Sequence, residues 1–506
     1  MPAYAAKDDP AAFTTSRNLF ESLITTLTST NTTELTHTQL EELLTEQSRE
    51  LTRTLLQDHL DLRTLREQDH TPPPTGAEGI KRTRTERGHT RTLTTLFGTV
   101  TTTRTAYRAP GAPNLHPADA TLNLPPGKHS HGLRRLVALE AARGSFEHAQ
   151  EAITRTTGTH PGKRQIQQLA TAAATDIDAF YHQGGPIPTT GDQDLLVLTF
   201  DGKGVVMRPE ALRTATAQAA QSTTKLATRI SPGEKPHRKR MAEVACVYDA
   251  TPAIRTPGDI ITPPTSKDTT HTRPRPGPCA DNKWATASLI DDLDQVIAAG
   301  FDQAQRRDPG HRRTWVVLVD GNRPQLRAIA DQAHQHGVRV HVVLDFVHVL
   351  EYLWKAAWSF FEPADPDAEA WVGAQATKVL QGRARQVAAG IRRRATTFGY
   401  SARERAGADK CAGYLVANAQ YLDYATALEQ GWPIATGVIE GACRHLVKDR
   451  MDITGARWGL EGAEAVLKLR ALIATGDFAE YWAFHLRREF DRNHRVRYRD
   501  EVDLAA

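Results

Sequence analysis

Apolar positions at helical spacing run through the first seventy residues: Phe20, Leu23, Ile24 and Leu27, then Leu40, Leu43 and Leu44, then Leu51, Leu55, Leu56 and Leu60. A stripe with that repeat lies on one side of a helix, so the region is predicted helical. Pro72, Pro73 and Pro74 end it. From Arg91 to Tyr107 the chain changes to Thr, Leu and Val around Gly98, which predicts a β-hairpin over residues 92–97 and 99–107. Pro110, Pro113, Pro117, Pro125 and Pro126 then mark an extended connection. Helical spacing returns over 133–142, breaks at Arg143, Gly144 and Ser145, resumes over 146–154, and after a glycine-bounded turn at 158–162 predicts a helix over 163–181. Short helices separated by glycine turns fit a helix-turn-helix outline, in which the start of the second helix (here Lys163 and Arg164) meets base edges. A plain helical bundle fits the same pattern.

From Asp194 onward the pattern becomes α/β. Strands are expected at 195–200, 241–248, 314–319 and 338–344, and helices at 285–305 and 324–336. Such alternation argues for a sheet with helices packed on it. A proline-rich stretch between Ala253 and Asp281 reads as a loop. Residues 349–428 are helical in pattern, rich in Arg and Ala, and read as a helical insertion; 439–474 reads as helix again, followed by a basic tail. The expected organisation is a helical region (1–75), a hairpin and linker (76–126), a helix-turn-helix-like region (127–185), an α/β core in two parts (190–350 and 431–478) around an all-helical insertion (351–430), and the tail (479–506). The fold class is therefore multidomain α/β, a sheet with helices packed on it behind a mostly helical front.

Composition refines this only in places. A length of 506 residues suits two to four domains, and 40 % apolar residues suffice for a sizeable core. A formal net charge of +4 is too small at this length to predict a nucleic-acid partner. Its distribution says more, because cations cluster at 235–240 (Lys235, Arg238, Lys239, Arg240), at 392–394 and along 487–499. Each cluster reads either as a solvated face or as a phosphate contact. Cys246, Cys279, Cys411 and Cys443 include no Cys-x-x-Cys pair, which argues for reduced thiols and against a zinc ribbon or disulfide scaffold. No apolar run reaches the ~18–20 residues of a membrane helix, and the first residues lack a signal-peptide core. The expectation is a cytoplasmic protein with no membrane partner.

Two aspartates occupy equivalent places. Asp201 and Asp320 each follow an apolar strand and precede glycine, so the expectation is a carboxylate at a strand end with the glycine turning the chain away. Carboxylates forced together repel unless a cation lies between them, and hard oxygen ligands favour Mg²⁺. Asp-Gly is also a common turn dipeptide. A further strand runs into Asp345, with His348 three residues on; the pair either faces the same site or forms a helix N-cap with a neighbouring histidine. If 437–450 is one α-helix, Glu440, Arg444 and Lys448 share a face, as a salt-bridge ladder or as a metal ligand beside phosphate-gripping cations.

The strings FDGKGVVMRPEALR (200–213), VVLVDGNRPQLRAI (316–329), VVLDFVHVLEYLWKAAW (342–358) and the stretch 431–470 around Glu440 together resemble DDE-type transposases of the ISKra insertion-sequence group. The resemblance covers most of 190–475 and, less specifically, the front. It implies a ribonuclease-H-like catalytic core, a mixed sheet with flanking helices in the order strand, strand, strand, helix, strand, helix, strand. It places the catalytic, metal-binding triad on Asp201, Asp320 and Glu440, with Mg²⁺ as cofactor and Mn²⁺ as its substitute. Asp345 and His348 match the auxiliary Asp-x-x-His of Mutator-like relatives, and the gap to Glu440 matches their helical insertion. Phosphate contacts are expected from Lys203, Arg238, Lys239, Arg240, Arg323, Arg444, Lys448 and Arg450, and contacts to the element ends from Lys163 and Arg164. The implied partners are double-stranded DNA, as terminal inverted repeats and target, and further copies of the chain in a homodimer or larger assembly in the bacterial nucleoid. One departure is that the front carries no cysteine, whereas related front domains often hold zinc through cysteine pairs. A catalytically silent DNA-binding derivative and a structure-specific nuclease on the same fold are the competing readings.

Overall fold

The computed structural model describes residues 12–70, 73–188, 190–191, 194–222, 237–261, 274–453 and 455–499. Lys235 and most of the middle of the expected proline-rich loop lie outside them. The chain packs as two units, Met1–Gly185 with Phe478–Ala506, and Pro186–Asp477. It is multidomain α/β. Among the described residues no helix is long and apolar enough to cross a membrane.

The first unit begins with helices α1 (Thr14–Thr28) and α2 (His37–His70) and a three-stranded antiparallel sheet, β1 (Arg84–Thr95), β2 (Gly98–Ala109) and β3 (Ala112–Leu115). The expected hairpin is present, but β1 starts at Arg84 rather than at 92, and β3 adds a third strand. Short β3 pairs with β2 only around Tyr107 and Ala109, and the rest of that side of β2 is met by polar side chains of α2. The Gln57 amide donates to the Thr101 carbonyl and accepts from its N–H, both at 2.8 Å, while Thr64 donates to Thr103 O and Glu67 accepts from Thr105 N. Side chains thus satisfy an edge that would otherwise invite another strand. Leu60, Leu93, Val100 and Leu124 close the core beneath.

Helices α3 (His131–Arg143), α4 (Phe146–Thr157) and α5 (Lys163–Ala174) follow. Ser130 and Ser145 cap the first two through their hydroxyls, and Gly158 ends α4 at φ 69°, a left-handed conformation that glycine adopts without strain. The three helices pack on one another around Leu133, Val137, Ile153 and Ile166. The helix expected over 163–181 breaks at Thr175 and Asp176, and a short helix Ile177–His182 resumes. The expected basic tail is instead a helix, Phe478–Asn493, with Phe478, Tyr481, Trp482, His485 and Glu489 on its buried side. Buried Asp176 explains both departures. Its carboxylate accepts from Arg492 at 2.6 and 2.8 Å and from His485 at 2.7 Å, so the break in one helix is the anchor of the other.

The second unit is built on a mixed sheet of five strands: β4 (Leu195–Val206), β5 (Lys239–Ala250), β6 (Ala280–Ser288), β7 (Trp315–Val319) and β8 (Val340–Leu344). The order is β6-β5-β4-β7-β8, with β4, β5 and β6 antiparallel and β4, β7 and β8 parallel. Helices α6 (Leu293–Arg307) and α7 (Arg323–Gln335) are the crossovers around β7. The helix expected from 285 is corrected here, since 280–288 is edge strand β6 and α6 begins only after its cap, Asp292, which accepts from Gln295 N at 3.0 Å. In α6, Gly300 admits Phe200 of β4; a Cβ there would lie 2.7 Å from the ring.

After β8 come helices α8 (Phe346–Ala357), α9 (Pro366–Leu380), α10 (Ala384–Thr397) and α11 (Ala406–Ala417), packed through fully buried alanines such as Ala376, Ala388 and Ala412. Arg394 spends its charge inside this bundle, 4.7 Å from the rings of both Phe360 and Phe361 and near Trp371 and Phe398. The chain returns to the sheet where Phe346 N donates to Ile434 O at 2.8 Å. Helix α12 (Gly437–Ala442) passes into a π-helical turn, Cys443–Lys448, so the α-helical spacing that would align Glu440, Arg444 and Lys448 does not hold. The helix expected over 439–474 is interrupted after Asp449–Met451, and α13 (Leu460–Thr475) packs on β6. There Glu464 accepts from the Ser288 hydroxyl and from the N–H groups of Leu289 and Ile290, tying off the strand's end.

Candidate functional site

Strand register assembles the acidic residues. Thr199 of β4 lies opposite Leu318 of β7, and Val319 opposite Leu344 of β8. Continuing those rows past the last paired residues brings Asp201, Asp320 and Asp345 to the same level of the adjacent strands β4, β7 and β8. The expected strand end holds for Asp320, where Gly321 turns the chain off at φ 92°. It does not hold for Asp201. Strand β4 runs on to Val206, paired with β5 as far as Lys239, so Asp201 sits mid-strand where its other neighbour, β7, stops. Gln325, in the first turn of α7, donates to Phe200 O at 3.1 Å and fixes that junction.

Asp345 is fully buried. Its Oδ1 accepts from Val347 N at 3.1 Å, as an N-cap does, and from Thr436 N at 3.3 Å. Its Oδ2 has no hydrogen-bond partner and faces His348 Nδ1 at 3.6 Å. The other ring nitrogen, Nε2, lies 3.8 Å from Asp320 Oδ2. Glu440 is exposed and reaches the site from α12, where its Oε1 accepts from the Thr436 hydroxyl at 3.2 Å. Asp201 Oδ1 accepts from Gly202 N at 2.7 Å, and the Cys443 thiol also donates to this carboxylate.

The electrostatics report crowding. Burial first, then the carboxylates of Asp201, Asp345 and Glu440, push Asp320 up to about 6, against the pull of His348. Burial and then Asp201 hold the Cys443 thiol above its ordinary range. The buried, unpartnered carboxylate oxygen of Asp345, beside an Asp320 carboxyl that is pushed up by burial and its acidic neighbours, suits a divalent cation. Among the described residues one compact set has metal-ligating atoms all within 4.8 Å of one another: Asp320, Asp345 and His348. Asp201 and Glu440 are not in that set.

No protein-family model and no curated protein matches this chain.

The cations expected to grip DNA divide by environment. Lys203, Arg238, Lys239, Arg323, Arg444 and Lys448 are exposed, although Arg323 donates to Ala417 O and Arg444 lies 3.9 Å from Asp449. Arg240 is turned inward, donating to Leu289 O at 2.6 Å and Ala211 O at 3.3 Å. Arg450 is only 2 % exposed and stacks on Trp458 at 4.7 Å, so it is a packing residue in this conformation and not a surface cation. In the other unit, Lys163 and Arg164 are exposed at the start of α5, and Lys163 pairs with Glu147 at 2.6 Å.

Several residues around the site escaped the sequence reading. Thr436 joins Asp345 to Glu440; a threonine four residues before the glutamate, at the start of its helix, was the signal. Tyr414 of α11 brings a phenol whose oxygen is buried without a partner and which stacks on Tyr352 at 4.0 Å. Burial, Tyr352, Asp320 and Asp345 together raise that phenol above its ordinary range. Glu243, opposite Gly202 on β5, is raised chiefly by burial and also by Asp201. Neither shows a local motif, because the fold alone brings them near.

Proposed function

We propose that this chain is a DDE-type DNA transposase of the ISKra group, with a ribonuclease-H-like core, that cuts insertion-sequence ends and joins them to target DNA in the bacterial nucleoid. The observation that carries the reading is that the carboxylates of Asp201, Asp345 and Glu440 all act on Asp320 just past the end of β7, with Glu440 coming from a helix beyond an all-helical excursion. The succession β4, β5, β6, α6, β7, α7, β8 supports it, being the strand and helix order that the resemblance implies once the short helices Thr214–Ser222 and Pro257–Ile260 in the connections between the first three strands are set aside.

In this reading Asp201, Asp320 and Glu440 hold two Mg²⁺ ions, with Mn²⁺ as substitute. Bound there, such ions lower the pKa of the attacking water or DNA 3′-hydroxyl and neutralise charge at the scissile phosphate. The chain's part is positioning. Asp201 is held by β-pairing with Val244 on one side, Asp320 by the end of a fully buried strand, and Glu440 by the hydroxyl of Thr436. Lys203, Arg238, Lys239, Arg323, Arg444 and Lys448 neutralise backbone phosphates, while Lys163 and Arg164 read the terminal repeats. Two element ends must be brought together, so the working form is a homodimer or larger.

The test is cleavage and strand transfer on labelled element-end DNA in Mg²⁺, comparing the wild type with Asp201→Ala. Metal-dependent joined products that vanish in the variant, with DNA binding retained, are expected. Tight binding to authentic ends without cleavage by the wild type would replace this reading with a catalytically silent DNA-binding protein.

A further inference from the structure

The compact ligand set is not the triad assigned to transposition. It contains a nitrogen, His348, and a fully buried carboxylate, Asp345, neither of which that triad uses. His348 stands between two carboxylate oxygens at 3.6 and 3.8 Å. Those gaps exceed the 2.7–3.2 Å of ordinary hydrogen bonds, so a proton on the imidazole does not satisfy either oxygen. They suit an ion. Metal–ligand bonds of about 2.1 Å put ligand atoms roughly 3.0 to 4.2 Å apart, from neighbouring to opposite positions. The ligand atoms, one per residue, lie within 4.8 Å of one another, so they close onto one ion with side-chain shifts of about half an ångström.

The second pointer is Asp345 itself. Its Oδ1 is satisfied by two backbone N–H groups, while Oδ2 is buried, unpartnered and aimed at His348. A buried carboxylate oxygen left bare is costly unless something charged completes it. Access is open from one side, because Asp320 and His348 side chains are 39 % and 36 % exposed.

We infer that Asp320, Asp345 and His348 form a binding site for one divalent first-row transition cation of the Mn²⁺ or Zn²⁺ class, separate from the Asp201–Asp320–Glu440 set and sharing only Asp320 with it. Two carboxylates and a neutral imidazole match the oxygen and nitrogen preference of that class better than the all-oxygen preference of Mg²⁺. The site does not depend on the transposase reading, since it binds its ion without DNA.

The experiment titrates the metal-stripped full chain with Mn²⁺ alone, following the free-ion signal by electron paramagnetic resonance and the bound ion's nitrogen coupling by its pulsed form. Expected are a nitrogen-coupled Mn²⁺ that Zn²⁺ displaces, at least tenfold weaker binding with loss of the nitrogen coupling in His348→Ala, and a similar loss of affinity in Asp345→Asn. Glu440→Gln keeps the nitrogen coupling, because Glu440 belongs to the all-oxygen set and not to this one. His348 is partly exposed, so His348→Ala keeps the test valid should Asp345→Asn fail to fold. Mn²⁺ without nitrogen coupling, insensitive to His348→Ala but abolished by Glu440→Gln, would overturn the inference and leave the transposase reading standing. No bound Mn²⁺ in the wild type would also overturn it. Absence of cleavage on element ends, with nitrogen-coupled Mn²⁺ present, would instead sink the transposase reading alone.

Discussion

Replacing Asp176 by alanine tests whether one carboxylate holds the C-terminal helix to its unit. The side chain is 3 % exposed and receives two hydrogen bonds from Arg492 and one from His485, which is itself fully buried. Removing one partner of a buried charged pair costs about 3–5 kcal/mol, because the survivor is left uncompensated. Here the survivors differ. Arg492 is 37 % exposed and rehydrates, whereas His485 cannot, so the lower end, about 3 kcal/mol, is expected. That free energy corresponds to roughly 100-fold faster hydrogen exchange over Phe478–Asn493. The pH dependence has a definite sign. Burial raises the Asp176 carboxyl, but the bonds from Arg492 and His485 outweigh it and hold the group well below its ordinary value of 3.8. A folded-state value that is depressed contributes stability above the unfolded pKa and loses it as pH falls toward the folded one. The gap between wild type and variant should therefore be constant above about pH 5 and shrink below about pH 4. Exchange by mass spectrometry of the full chain from pH 3 to 8 reads both effects. Equal protection at pH 7, or a gap that stays constant into acid, would refute the reasoning.

Further expectations concern the helical insertion and, under the proposed function, the exposed cations. Gly407→Ala places a Cβ 2.2 Å from the Lys355 carbonyl oxygen and should lower stability by about 1–3 kcal/mol, whereas Gly413→Ala in the same helix meets nothing and should gain up to about 1 kcal/mol; thermal melts of the two variants give opposite signs. Arg394→Lys should cost about 1–2 kcal/mol through its lost ring contacts, with no change in the salt dependence of DNA affinity. Lys203→Ala and Arg444→Ala should each flatten the plot of log affinity against log salt by about 0.9 if each contacts one phosphate, as read by fluorescence anisotropy.

Much of the α/β unit was legible because its strands are apolar runs bounded by turns. The failures have physical causes. Residues 285–288 include two alanines and lead toward a real helix, so the end of an edge strand with mixed burial reads as that helix's first turn. Gly202 read as a turn, yet β5 pairs with it on one side and keeps β4 extended past Asp201. The π-helical turn after Ala442 leaves no trace in spacing. By contrast the tail's buried positions, Phe478, Tyr481, Trp482, His485 and Glu489, do follow helical spacing, and the run of arginines masked them. At the site, the residue types at Asp201, Asp320, Asp345 and His348 were visible, but which of them touch was not. Pairing between strands far apart in the chain decides that.

The neck of the insertion sets how this molecule can be rebuilt. The excursion leaves at Phe346 and re-enters at Ile434, and those two residues are hydrogen-bonded neighbours. The excursion's ends are therefore already joined at the sheet, so its internal length is only weakly coupled to the sheet's geometry: doubling it adds roughly 0.6 kcal/mol of closure entropy. An engineer could exchange the bundle beyond α8 for another of different size while keeping the acidic row and His348. Homologous chains could drift apart in length here faster than anywhere else in the unit, so the spacing between Asp345 and Glu440 is a poor ruler of kinship.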